Sequence, residues 1–263
     1  MTIPRVLTIA GSDSGGGAGI QADIKTITVL GGFGMTVITA LTAQNTTGVQ
    51  GVLDIPVEFI ERQFDSVLSD IGADAAKTGM LSSSEIIKAV VSKIREYGID
   101  RLVVDPVMVA KGGAHLLRDE ARESLMRDLL PLALVATPNV PEATALCGHP
   151  IESVDDMKKA ARKIRDMGAR NVVVKGGHLD GDAIDILFDG KDFHTFSVER
   201  VVTGDTHGTG CTYSAAIATA LARGEEVYGA VESAKRYITA AIRNSLRLGS
   251  GHGPTNHLSP ILS

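Results

Sequence analysis

The sequence contains no tryptophan, and phenylalanine and tyrosine together supply ten of its 263 residues. A chain this poor in aromatic side chains has no stacking platform for nucleic-acid bases. Its 26 Lys and Arg are outnumbered by 31 Asp and Glu, giving a formal net charge of −5, and the basic residues form no block. Both features argue against a nucleic-acid partner. Cysteine occurs only at Cys147 and Cys211. Two separated thiols build neither a disulfide framework nor a cysteine zinc site, and they suit a reducing cytosol. No apolar run approaches the ~18 residues of a membrane span. The opening stretch MTIPRVLTIAGSDSG lacks the charged start and long apolar centre of a secretory leader. The expectation is a cytoplasmic protein without a membrane partner.

What the chain does have is glycine, 29 residues, against a usual share of roughly 7 %. The glycines cluster, which points to places where backbone approaches something closely. Around them, short apolar runs alternate with longer amphipathic ones. Residues 6–10, 35–39, 74–77, 102–105, 134–137 and 172–175 read as buried strands. Residues 19–30, 57–69, 84–97, 120–130 and 155–167 carry helical periodicity. Such alternation predicts parallel βαβ units, with helices on both faces of a sheet. Ser82-x-x-Glu85 and Ser153-x-x-Asp156 read as helix N-caps, and Gly98 and Gly168 as helix ends. After Lys175 the pattern changes. Residues 183–188 and 193–198 form an antiparallel pair around Asp189-Gly190, and two helices follow at 208–222 and 226–246. No linker or repeat interrupts the chain, so a single domain over residues 1–263 is expected.

The segment with most chemistry is Thr203-Gly204-Asp205-Thr206-His207-Gly208-Thr209-Gly210-Cys211-Thr212, ahead of an Ala-rich helix. Glycines at a helix start expose its unpaired N–H groups, and the helix dipole favours an anion there. This suits a transferring phosphoryl group, although the glycines alone equally suit a tight turn. Cys211 lies in the first turn, where thiol pKa values often fall to roughly 3.5–7.5, so it is placed to accept a proton from an attacking hydroxyl. The plainer alternative is a small packing residue, and Cys147, within an apolar run, is assigned that role.

A second Gly-rich stretch, residues 11–19, separates the first strand from the first helix. Gly17-x-Gly19-x-x-Ala22 resembles a relaxed dinucleotide fingerprint, but Thr42 and Ala43 stand where its ribose-binding acid belongs. A turn, or a loop touching a small substrate near Asp13 and Asp23, fits as well. Gly-x-x-x-x-Gly-Lys-Ser/Thr is absent, which excludes a P-loop kinase, and so are the protein-kinase signatures. Asn139-Val140-Pro141-Glu142 suits a helix cap, or an amide and carboxylate organising Mg²⁺ through water. Lys175-Gly176-Gly177 ends a strand, as a phosphate-binding lysine or a turn. Asp105-Pro106 ends another, where an Asx turn is the plain reading. Gln44 follows a strand; its amide can donate to a ring nitrogen and accept from an exocyclic amine. Lys111-Gly112-Gly113 is a short polar loop, able to close over a site, although an ordinary loop is the plainer reading.

Taken together these segments resemble the hydroxymethylpyrimidine / hydroxymethylpyrimidine-phosphate kinases of thiamine biosynthesis, of the ribokinase-like superfamily. The resemblance runs in order through residues 7–26, 38–50, 76–81, 103–113, 137–143, 173–178 and 206–218. It implies a three-layer α/β fold with a mostly parallel central sheet and helices on both faces. It further implies that the pyrimidine lies against Gly11, Asp23, Gln44 and Met80. The ATP phosphates would lie on the helix start, with Gly208 and Gly210 in the anion hole and Thr206, His207, Thr209 and Lys175 beside it. Asp105, Asn139 and Glu142 would organise Mg²⁺, partly through water. Cys211 would be the base where most sugar-kinase relatives carry Asp. Two successive phosphorylations and a homodimer are expected. Two residues depart from the pattern. Asp205 replaces an expected Asn and would add a carboxylate near the phosphates. Thr42 occupies a pocket-lining stretch where an apolar residue is also common. The chain stops soon after Gly253-Pro254, so no fused second enzyme is expected. A pyridoxine or pyridoxal kinase of the same fold is the nearest alternative. A dinucleotide oxidoreductase and a non-catalytic pyrimidine-binding protein are more distant ones.

Overall fold

The computed structural model describes residues 3–109, 113, 116–117, 119–179 and 181–259. Nine strands form one sheet: β1 (Arg5–Asp13), β2 (Phe33–Asn45), β3 (Gly48–Asp54), β4 (Ala75–Thr78), β5 (Leu102–Val104), β6 (Val135–Ala136), β7 (Asn171–Lys175), β8 (Ala183–Phe188) and β9 (Phe193–Val198). Their spatial order is β3-β2-β1-β4-β5-β6-β7-β8-β9. The six strands from β2 to β7 in that order run parallel, and antiparallel pairs extend both edges.

Side-chain alternation sorts the core into two layers. In a strand, successive residues face opposite sides. Leu7 and Ile9, Leu102 and Val104, and Val172 and Val174 join the apolar cluster under α2 (Val57–Leu68), α3 (Ser84–Glu96), α5 (Val140–Cys147) and α6 (Val154–Asp166). The residues between them, Val6, Val103 and Val173, join the opposite cluster with α7 (Thr209–Ala222) and α8 (Val227–Arg243). There α1 (Gly19–Val29) adds Ile27. A short helix, α4 (Asp119–Ser124), continues through a π-type turn over Leu125–Leu129 and a 3₁₀ turn over Leu130–Leu132. This is the three-layer architecture expected from the sequence. It places the carboxyl ends of the parallel strands along one crevice, where open α/β sheets bind ligands.

Three local readings change. The second strand is longer than its apolar centre and runs on through Gln44 and Asn45. It turns at Thr46 and Thr47 into β3, absent from the sequence reading because Gly48-Val49-Gln50-Gly51 has the composition of a loop. Ahead of that pairing, Gln63 of α2 stands in for a strand: its amide accepts from Ile38 N (2.8 Å) and donates to Ile38 O (3.0 Å). The α3 cap is Ser83 rather than Ser82; Ser83 accepts from Ile86 N, while Ser82 donates to Asp54. Ser153 caps α6 as expected, and Gly98 and Gly168 end their helices with φ of 62° and 119°.

Candidate active site

One end of the crevice is built around Asp13, at the end of β1. Its carboxylate accepts from the backbone N–H of Gly15 (2.8 Å), Gly17 (3.1 Å) and Ala18 (2.8 Å), and meets His207 Nε2 at 2.8 Å. Burial would raise its pKa, but the hydrogen bonds from His207, Ala18 and Gly15 outweigh it and hold the carboxyl below its ordinary value. Asp13 thus shapes the Gly-rich loop and ties it to the approach to α7. The tie is close. Gly208, the N-cap of α7, has φ 80°, and a Cβ there would run into the Gly17 carbonyl. Gly11 lies at the register shift of β1, and a Cβ on it would meet Met80 Sδ at 3.0 Å. Gln44 is gripped at its backbone by Ser14, which donates to Gln44 O (2.9 Å) and accepts from Gln44 N (2.8 Å). Gly11, Gln44 and Met80 therefore gather around the end of β1.

The other end is a cluster of buried charge. Lys175 Nζ donates to Asp105 Oδ1 at 2.8 Å, and Asp105 also accepts from Thr137 (3.1 Å) and Ser214 (3.3 Å). Burial pushes the Lys175 ammonium toward deprotonation, but Asp105 and Glu142 more than reverse it, so the group is raised. Asp105 is lowered, because Lys175 and Lys77 outweigh its burial. Asn139 and Glu142 form a reciprocal cap on α5: Asn139 N donates to Glu142 Oε2 (2.8 Å) and Glu142 N to Asn139 Oδ1 (2.9 Å). Burial, aided by Asp105 and opposed by Lys175, pushes Glu142 up to about 7. Above this group the first turn of α7 begins. A Cβ on Gly210 would lie 3.2 Å from Lys175 Nζ and 3.5 Å from Asp105 Oδ2. Glycine at 210 thus leaves the lysine a path to an anion on the helix start.

Cys211 sits between the two ends, half-buried in that first turn, and accepts from Gly19 N–H. Burial pushes its thiol up to about 11; Lys77 opposes this, and Asp23 and Asp105 reinforce it. The lowered pKa expected from helix position is therefore corrected. Desolvation and two nearby carboxylates exceed what the helix start and Lys77 provide.

The chain matches the phosphomethylpyrimidine kinase family over residues 13–256. It is 56 % identical to the thiamine biosynthesis bifunctional protein ThiED of Geobacter sulfurreducens, over 96 % of this chain and 52 % of that protein. The chain thus spans about half of that bifunctional relative. It is also 52 % identical to the hydroxymethylpyrimidine/phosphomethylpyrimidine kinase of Bacillus subtilis, over 98 % of this chain and 96 % of that one. Among solved structures, an ADP complex of Bacillus subtilis pyridoxal kinase superposes with a TM-score of 0.94 at 43 % identity, covering all of both chains.

The chain belongs to the phosphomethylpyrimidine kinase family. Its fold is accordingly ribokinase-like. Against the residue roles implied by the family resemblance, the geometry makes several corrections. Asp23 is fully buried, with its oxygens held by Lys77 (2.9 Å to each) and Thr8 (2.6 Å), so it supports the site from below rather than facing a ring. His207 turns toward Asp13 and Gln44. The Thr206 carbonyl accepts from the Thr209 hydroxyl (2.8 Å), a turn that leads into α7. The extra carboxylate of Asp205 accepts from Ser245 at 3.2 Å, against the segment that carries Gly253. Lys111 and Gly112 lie outside the described residues.

Two functional residues escaped the sequence reading. Lys77 is the fully buried partner of Asp23, with a raised pKa because Asp23, Cys211 and Asp105 outweigh its burial. A lone lysine inside the apolar strand Ala75-Ala76-Lys77-Thr78 was the available signal. Asp13 was noted only for its position, since its partner His207 lies 194 residues away.

Proposed function

We propose that this phosphomethylpyrimidine kinase family member transfers a phosphoryl group from ATP to 4-amino-5-hydroxymethyl-2-methylpyrimidine, and then a second to the monophosphate, in thiamine biosynthesis. The observation that carries this reading is the placement of Cys211 between the neutral polar groups around Gln44 and the Lys175–Asp105 pair under a helix start. In the first step the hydroxymethyl oxygen bonds to the γ-phosphorus, the bond to the ADP oxygen breaks, and Cys211 takes the hydroxyl proton. In the second step the acceptor is a phosphate monoester, already mostly dianionic at neutral pH because its second pKa is about 6. That step needs cationic charge more than a base, and Lys175 and the α7 amides supply it.

Magnesium fits the oxygen donors at the phosphate end. Asp105 and Glu142 are hard ligands, but each is already held by protein donors, and no three acidic, histidine or cysteine side chains converge among the described residues. Such a set suits Mg²⁺ held mainly by phosphates and water, with Asp105, Asn139 and Glu142 around it. When bound, it would offset phosphate charge.

Both apolar clusters are built on one sheet, which supports one domain over residues 1–263. Leu41, Val52 and Leu53 lie exposed on the β2–β3 edge, which supports a homodimer across that wing. No described helix is long and apolar enough to cross a membrane.

The test is product analysis with Mg-ATP and hydroxymethylpyrimidine, followed by phosphorus NMR. A monophosphate followed by a diphosphate is expected. The likeness to a pyridoxal kinase favours one second reading, pyridoxine or pyridoxal phosphorylation at the same site. Turnover of pyridoxine with no diphosphate from the pyrimidine would establish that reading instead.

A further inference from the structure

The Gln44 amide lies between two polar groups. Its Oε1 is 3.2 Å from the Thr42 hydroxyl, and its Nε2 is 3.4 Å from His207 Nε2. Thr42 is buried, two residues before Gln44 on β2, and its hydroxyl donates to Ser12 O at 2.9 Å. Ser12 belongs to β1, whose next residue is Asp13.

The chemistry of this chain of contacts decides which way the amide faces. Asp13 is held below its ordinary pKa, so it is an acceptor. His207 Nε2 therefore carries the hydrogen that points to Asp13, 2.8 Å away. An N–H nitrogen cannot accept from Gln44, so an amide nitrogen beside it would set donor against donor. Half a turn of the amide removes the conflict, and its two ends are distinguished only by such partners. The carbonyl then faces His207 Nε2–H. One amide N–H faces the Thr42 oxygen, which accepts it and passes its own hydrogen to Ser12 O. The Thr42 and His207 contacts now each set a donor against an acceptor, the His207 hydrogen being shared with Asp13, and the second amide N–H is left for a ligand.

We propose that Thr42 is a positioning residue that, together with His207, fixes the orientation of the Gln44 amide and so favours an aminopyrimidine over a pyridine alcohol. The inference rests on the reading that Gln44 meets the substrate ring. With the amide held, its second N–H and its carbonyl present a donor and an acceptor in fixed order. An aminopyrimidine edge, with its ring nitrogen and exocyclic amine, matches that order. A pyridine alcohol meets that pair with hydroxyl groups on ring carbons instead of a ring nitrogen and an amine, a different spacing of donor and acceptor, and a buried polar pair discriminates against such a mismatch. Valine has the shape of threonine but cannot relay the hydrogen bond, so it leaves the amide free to turn.

The experiment compares Thr42→Val, Thr42→Ser, Gln44→Ala and the double variant Gln44→Ala/Thr42→Val in steady-state assays with hydroxymethylpyrimidine and with pyridoxine. Thr42→Val is expected to raise the KM for hydroxymethylpyrimidine by roughly 3–10-fold, the scale of one hydrogen bond. It should lower kcat by less than that and narrow the preference over pyridoxine; Thr42→Ser should restore both. In the Gln44→Ala background the valine should add nothing. If Gln44→Ala raises KM while Thr42→Val behaves as wild type, the positioning role is wrong and the Gln44 reading stands. If Gln44→Ala itself leaves KM unchanged, the ring reading fails first. A measurement on the wild-type protein alone guards against misfolded variants. Nitrogen-15 NMR should show one Gln44 side-chain N–H protected from solvent exchange; two freely exchanging protons would overturn the proposal.

Discussion

The two ends of the crevice solve recognition in opposite ways. At the phosphate end, Lys77, Asp23, Lys175, Asp105 and Glu142 pack as buried charge, each paired or capped. At the ring end, Gln44, Thr42, Ser12 and Ser14 offer neutral hydrogen bonds with a direction, anchored by the Asp13–His207 contact. Charge attracts a polyphosphate whatever its orientation, whereas directional neutral groups tell one ring from another. On the proposed reading, phosphoryl transfer and substrate choice belong to separate, adjacent structures.

Breaking the chemistry at the junction has the largest expected effect. Cys211→Ala should lower kcat for the first phosphorylation by ~10²–10⁴, the range for a lost positioned base. The second phosphorylation should fall by much less, because its acceptor carries no proton to remove. With a thiol pKa of about 11, the thiolate fraction grows with pH across the neutral and mildly alkaline range. The first-step rate should therefore climb between roughly pH 7 and 9 in the wild type and flatten in the variant. Equal losses in both steps would assign Cys211 to binding instead of proton transfer.

Next comes the charged end's stability. Lys77→Met leaves Asp23 buried without its partner and should cost about 3–5 kcal/mol in denaturant unfolding. Adding Asp23→Leu should recover much of that loss, since an apolar pair of similar volume is often as stable as a buried ion pair. Failure to recover would show that Asp23 also holds Thr8 and β1 in place.

A smaller effect concerns the closing segment beyond α8. His257 is buried against Thr212 at 3.0 Å, and burial, with Lys25, lowers its pKa to about 4. The unfolded chain then binds more protons than the folded one between the ordinary His value of 6.5 and about 4. Stability from this group is present above pH 6.5 and is lost as pH falls through that window, by up to about 3 kcal/mol. His257→Gln should flatten this part of the acid slope in thermal unfolding. The smallest effect is expected for Asp205→Asn. Its carboxylate faces Ser245, so the KM for ATP should change by less than about threefold, the scale of one exposed polar contact. A larger fall in KM would bring that carboxylate back to the nucleotide.

Much of the parallel core was legible, because strands buried on both faces read as short runs such as Leu102-Val103-Val104 between helical periods. The β3 strand was not: two glycines and a largely exposed surface erase the alternation that marks a strand. Motif order singles out Gly11, Gln44 and Met80, which gather near the end of β1, and Lys175 and Cys211, which meet the same buried charges. It does not reveal the partners of Asp23 and His207, which come from distant parts of the chain. The direction of the Cys211 shift was illegible for the same reason. Local helix position predicts a low value, but burial, with Asp23 of α1 and Asp105 just past β5, raises it.

The contact between Asp13 and His207 spans 194 residues, and this has a consequence for how the enzyme comes into being. At roughly 5–20 residues per second of synthesis, about 10–40 seconds separate the emergence of the two partners from the ribosome. During that interval β1 and its glycine loop can pair with their sheet neighbours, but Asp13 lacks the imidazole that completes its ring of donors. The nascent chain therefore holds most of a sheet and no finished pocket, and substrate can aid folding only after its last quarter has been made.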